Sequence, residues 1–253
     1  MANLTKADDK SLQAYEEKLI EQQNQTPPQK YNVIKISYDT EAPDTLGQFV
    51  YAKEGDTEFR LLGDNFTGVI LAKRHQYNYF DENDKTNNMR TSQFEDWKDQ
   101  VDVYVGGDMK EQVFGIAKWM KDHYSKDGAT PRTYQSVFYV LYKEEVYLVR
   151  GKGSSFTNFI EFEKEIDANK TLFSFNVDFG HTKEKKGTVT YYPITFTKGK
   201  DIEGDAYHKN LTKSFEIDQM IADLNNPASE GEVDMVKEAE GAFEKKAIEN
   251  LPF

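Results

Sequence analysis

Residues 66–80 read FTGVILAKRHQYNYF, a run of β-branched and aromatic residues with the length of a long, bent strand. Gly68 is the natural place for a bulge in it, because a glycine tolerates the local kink that an extra residue imposes. A strand of this kind commits the chain to a β-rich fold, and the polar stretch DENDKTNN behind it reads as a loop.

The same signal returns beyond Pro131. TYQSVFYVLY and EEVYLVRGK read as two strands joined at Lys143-Glu144. SSFTNFIEFEKEI then spaces Phe156, Phe159, Ile160 and Glu163 as a helix, with Ser154 or Ser155 placed to cap it. TLFSFNVDFG is a further strand, and GTVTYYPITF is its expected hairpin partner across HTKEKK. Shorter strands are predicted at Tyr31–Tyr38, Leu46–Lys53, Glu58–Leu62 and Val101–Val105. Between Val113 and His123 helix and strand readings compete.

A long strand, an insertion, a hairpin, a helix and a second hairpin make up the element order of the OB-fold, a five-stranded barrel used for single-stranded nucleic acids and oligosaccharides. The expected fold class is therefore mainly β with flanking helices, an OB-like barrel carrying an insertion near residues 81–130. Residues 1–30 form an arm in which Leu12, Tyr15, Leu19 and Ile20 keep helical spacing, and residues 31–204 form the barrel domain. A helix follows from Asp205 to Leu224, where Leu211, Phe215, Ile217 and Ile221 are apolar. Residues 228–253 hold seven carboxylates against three lysines with few apolar side chains, the composition of a disordered acidic tail.

Several function classes find no support in the residues. The chain has no cysteine, so disulfides and thiolate chemistry are excluded and a reducing cytoplasm is the expected location. No stretch has the apolar length of a membrane span or of a signal core. His75, His123, His181 and His208 are scattered without the spacing of a zinc site, and VRGKGSS lacks the phosphate-loop pattern. A protein without catalytic machinery, metal or cofactor is expected.

Nucleic-acid binding has more behind it. The whole chain carries a formal charge of -12, but electrostatic contacts to phosphates need only a local basic groove. KRHQYNYF places Lys73 and Arg74 ahead of Tyr77, Tyr79 and Phe80, and the period of a strand puts Tyr77 and Tyr79 on one face. Cations followed by same-face rings suit base stacking beside an electrostatic rail. Residues 181–200 hold five lysines and one glutamate, with Lys183, Lys185 and Lys186 in the loop that an OB-fold uses to grip a strand and Tyr191 just beyond. Arg90, Trp97, Arg150 and Lys152 complete the candidate single-stranded DNA-binding set.

The chain ends Leu251-Pro252-Phe253 after the acidic segment. This terminus resembles the C-terminal tip of bacterial single-stranded DNA-binding proteins, which finish Asp-(Ile/Leu)-Pro-Phe; here Asn250 stands at the aspartate position and Glu249 supplies the neighbouring charge. The middle of the chain resembles replication-module proteins of tailed phages. The resemblance implies a protein that covers single-stranded DNA in replication, recombination or repair, in the host cytoplasm if phage-encoded, and recruits partner proteins through residues 251–253. A virion or scaffold assembly protein with a β domain is the rival reading, and a carbohydrate-binding β module is the third.

Overall fold

In a computed structural model of the chain, residues 31–79, 88–96, 98–106, 108–114 and 132–224 are described. The N-terminal arm, Phe80, Trp97, the 115–131 segment and the acidic tail with its tip lie outside them.

Short strands come first: β1 (Val33–Ile36), β2 (Phe49–Ala52) and β3 (Arg60–Gly63). The long strand β4 spans Phe66–Tyr79, and the insertion behind it supplies β5 (Met89–Thr91), β6 (Gln100–Val105) and β7 (Asp108–Phe114). The hairpin of β8 (Arg132–Tyr142) and β9 (Glu145–Lys152) runs into helix α1 (Ser154–Glu165). Strands β10 (Phe175–His181), β11 (Glu184–Lys186), β12 (Val189–Tyr191) and β13 (Ile194–Asp201) follow, and α2 (Gly204–Leu224) closes the described chain.

The main sheet runs β3-β2-β1-β9-β8-β4-β5-β6-β7, and β10 joins β13 to the first residues of β4. It is mixed, because β1 lies parallel to β9 while the other ladders are antiparallel. The result is a β-rich α+β protein with an open sheet. A closed barrel would need β13 on the outer edge of β9, and β1 already occupies that edge through Val33 and Ile34.

β4 positions everything else. Its first residues pair with β10, Phe66 opposite Phe179 and Gly68 opposite Val177, and from Val69 onward it pairs with β8 to its end. Gly68 is where the two ladders meet. It is not a bulge: a Cβ there would lie 2.6 Å from a Val140 methyl and 3.1 Å from the Leu141 carbonyl oxygen, so the glycine is needed for close approach. The bulge sits further on, where the register with β8 shifts between Ile70 and Ala72.

Two cores result. The inner one packs Ile34, Phe49, Ile70, Phe138 and Val149 of the sheet against Phe159 and Phe162 of α1 and against Phe175, Phe179 and Phe196. The outer one sets Ile217 and Ile221 of α2 on Val69, Leu71, Ala72, Val137 and Tyr139. A third, small cluster of Met89, Phe94, Val101, Val103 and Val113 holds the insertion.

Two further local expectations need correcting. Neither Ser154 nor Ser155 caps α1: the cap is Gly153 at φ 51, without a side-chain hydrogen bond. Ser155 is turned inward, where its hydroxyl accepts from the Ile194 amide at 2.9 Å. The expected strand from Gly187 to Phe196 is broken at Pro193, which has no amide to donate; β12 pairs back on β11 as a separate ribbon and only β13 pairs β10. β5 gives no signal in the sequence, because three residues carry no usable period.

Replacing Gly68 with Ala should destabilise the fold by about 1–3 kcal/mol, as overpacking does in a tight interior. Urea denaturation measures it, and an unchanged midpoint would show that β4 has slack where its two ladders meet.

Candidate nucleic-acid interface

The bulge at Leu71 decides which way the basic and aromatic residues of β4 point. Leu71 and Ala72 both join the outer cluster, so the alternation restarts out of phase. Lys73, His75 and Tyr77 then face inward with Ile70, and Arg74, Gln76 and Asn78 face outward.

The expected basic rail is thereby split. Lys73 reaches Glu163 of α1 at 2.6 Å and lies 5.2 Å from the centre of the Phe159 ring. Arg74 turns to the opposite face, where it meets Asp218 of α2 at 2.5 Å and Glu95 at 3.7 Å. Each cation pins a helix to its own side of the sheet.

Tyr77 belongs to an aromatic seam between α1 and the insertion. Its ring lies 5.1 Å from Tyr134 and 6.3 Å from Phe94, and Tyr134 lies 4.7 Å from Phe156 in the first turn of α1. His75 stacks on Tyr134 at 5.3 Å, and the Tyr134 hydroxyl hydrogen-bonds its Nδ1. Burial, with Lys73 and Arg74 nearby, lowers the imidazole to about 4, so it stays neutral. Burial also pushes the Tyr77 and Tyr134 hydroxyls up. The rings of Tyr77, Tyr134 and Phe156 remain half-buried. Tyr79 ends β4 opposite Arg132 and Met89. Phe80 and Trp97 lie outside the described residues. Tyr134 and Phe156 are not singled out by the sequence as site candidates; the signal for Tyr134 is its register opposite Tyr77, which no single segment of sequence contains.

The outer face carries a different set. Arg150 pairs in register with Val137 and Lys152 with Gln135, and these stand beside Arg74 and Gln76 of β4. Gln135 donates to the Gln76 side chain at 3.0 Å, which donates to the Thr91 carbonyl at 2.9 Å. One row further, Arg90 lies over the Tyr104 ring at 4.7 Å. Arg74, Arg90, Arg150 and Lys152, distant in the chain, thus share one face of neighbouring strands.

The lysine loop is a two-stranded ribbon. Glu184 pairs with Tyr191 and Lys186 with Val189 around a tight turn at Gly187, whose φ is +64. Lys183, Lys185 and Lys186 are exposed and make no ion pair among the described residues. Tyr191 is half-buried at the base, where Glu184 beside it pushes its hydroxyl up and Ser154 at the start of α1 acts weakly the other way. Asn158 donates to the Ile194 carbonyl at 2.9 Å. The strand that follows the ribbon is thus tied to α1 through Ser155 and Asn158, and Tyr191 of the ribbon lies near Ser154, in the same turn as the Phe156 that touches Tyr134.

Among the described residues no group of His, Asp and Glu side chains could hold a metal ion, and no helix is long and apolar enough to cross a membrane. Comparison with protein-family models, curated proteins and solved structures gives no match.

The neutral imidazole has a pH consequence. The native pKa is below the ordinary 6.5, so the unfolded chain takes up a proton that the native state refuses. The stability this contributes is fully present above pH 6.5 and lost as pH falls toward about 4. The melting temperature should fall between pH 6.5 and 5.5 more steeply for the natural chain than for His75→Gln, which keeps a polar, uncharged side chain beside Tyr134. Equal slopes would assign the loss to other groups.

Proposed function

We propose that the protein is a non-catalytic single-stranded DNA-binding protein that covers strands without strong sequence preference during replication, recombination or repair, in the manner of phage-encoded proteins of this kind. One observation carries the reading. In a chain with 44 acidic and 32 basic residues, the ribbon presents three exposed lysines without carboxylate partners among the described residues, next to the helix turn that meets a seam of half-buried rings. Phosphates would lie along Lys183, Lys185 and Lys186, and bases would reach Phe156, Tyr134 and Tyr77.

The ladders support an OB-like origin for this arrangement. β4 with β8, β8 with β9, β4 with β10 and β10 with β13 are the pairings of the five-stranded barrel, and the helix between β9 and β10 stands in the expected place. In this reading β1 caps the edge of β9 that a barrel would close, and the ribbon is the gripping loop. The acidic tail would compete weakly for the cations, and Leu251, Pro252 and Phe253 would dock in an apolar pocket of a partner whose basic rim takes the terminal carboxylate.

A second reading has its own observation. Leu211 and Phe215 of α2 are exposed at 44% and 61%, an apolar stripe that strand binding does not use and that an assembly protein would.

Fluorescence anisotropy with a labelled oligo-dT strand and its duplex tests the proposal. The single strand should bind far more tightly; equal affinities would sink the stacking contribution. Changing Lys183, Lys185 and Lys186 together to Ala should reduce the slope of log affinity against log salt by about 0.7 for each phosphate no longer neutralised. Phe156→Leu, which keeps an apolar side chain and removes the ring, should cost about 1–3 kcal/mol of binding. Deleting residues 251–253 should leave strand affinity unchanged and abolish capture of the partner.

A further inference from the structure

Lys152 is the cation that the fold leaves unexplained. It ends β9 on the outer face, half-buried, and among the described residues no hydrogen bond or ion pair reaches its ammonium. The charge that acts on it, Arg150, has the same sign. Arg150 stands two residues back on the same side of β9, and Arg74 of β4 lies one row away across Val137, where Asp218 and Glu95 already take up its charge. The residue beside Lys152 on β8 is the neutral Gln135. Two other half-buried cations of the sheet are held differently: Lys73 has Glu163 and Arg74 has Asp218.

A half-buried ammonium next to a guanidinium loses hydration and gains repulsion. Burial first, and Arg150 second, lower Lys152 to about 8. A tetrahedral oxyanion would cancel both costs. Side chains at i and i+2 of a strand rise from points roughly 7 Å apart, close enough for a guanidinium fork and an ammonium to converge on one phosphate.

We propose that Lys152 and Arg150 form a seat for a single phosphate group on the outer face of the sheet, separate from the lysine ribbon. The carrier is either a phosphodiester of a bound strand or a free phosphate. The seat as an anion site stands apart from the nucleic-acid reading, and only the identity of the carrier rests on that reading. Anion binding holds the proton on Lys152, so affinity at the seat weakens as pH rises through about 8, where the empty site loses its charge.

The direct test is a pH titration of the Lys152 side-chain resonance in the isotope-labelled full chain, assigned by through-bond correlation to its own backbone. It is run alone, with inorganic phosphate, and with a short oligo-dT strand. Alone, the midpoint should fall near 8; saturating phosphate should raise it by about one unit, a tenfold preference for the protonated site. Lys152→Arg should keep phosphate binding and abolish its pH dependence between about pH 7 and 9, while Lys152→Met should lose the binding. A shift with phosphate and none with oligo-dT supports the seat and assigns it to a free phosphate. A shift with both supports it and assigns it to the strand as well. A midpoint that neither ligand moves overturns the seat, and if oligo-dT still binds, the single-strand reading survives without it. The titration uses the natural chain, so its result stands even where a variant fails to fold.

Discussion

The bulge at Leu71 in β4 is the constraint on which the rest of the molecule depends. One strand serves two ladders, β10 at its beginning and β8 over the remainder, and one unpaired step between Ile70 and Ala72 resets its alternation. Without that step Lys73, His75 and Tyr77 would face α2, and Arg74 and Gln76 would enter the space filled by Phe159 and Phe156. With it, the inner face receives the residues that pack on α1 and the insertion. The outer face receives the polar row, and both helices gain an ion pair to the strand they cover.

Charge is distributed by the same geometry. Lys53 meets Glu145, Lys170 and Lys198 meet Asp201, and Lys209 meets Glu144, so much of the basic content ties neighbouring elements together. Exposed pairs of this kind add little stability, about 0–1 kcal/mol each, but they engage cations that a ligand would otherwise meet. Among the described residues the ribbon of Lys183, Lys185 and Lys186, and Lys152 on the outer face, make no ion pair. An acidic protein can thus present concentrated positive charge in a few places, and net charge says little about what it binds.

Much of the fold is legible in the amino-acid sequence. The β8–β9 hairpin turns at Lys143 and Glu144 as expected, both at positive φ, the geometry a two-residue hairpin loop requires. α2 spans Gly204–Leu224, and β4 runs almost the length its composition suggests. Local features carry those elements: period, turn position and strand propensity. The failures share a physical cause, which is that they depend on contacts between distant segments. The bulge at Leu71 depends on the register with β8, not on Gly68. The cap of α1 falls to Gly153 because Ser155 is needed by Ile194, and Tyr134 enters the aromatic seam only through its pairing with Tyr77. Lys73 and Arg74 look like one patch in a linear reading and lie on opposite faces because of a single extra residue.

If a single strand binds as proposed, it lies along the ribbon, over the first turn of α1 and onto the aromatic seam. Hydrogen–deuterium exchange of the full chain with and without a saturating oligo-dT strand addresses it most directly. Slowed exchange is expected in residues 183–191, 153–158 and 132–136, with α2 unchanged. Protection confined to α2 or to β1–β3, or no protection at all, would contradict it.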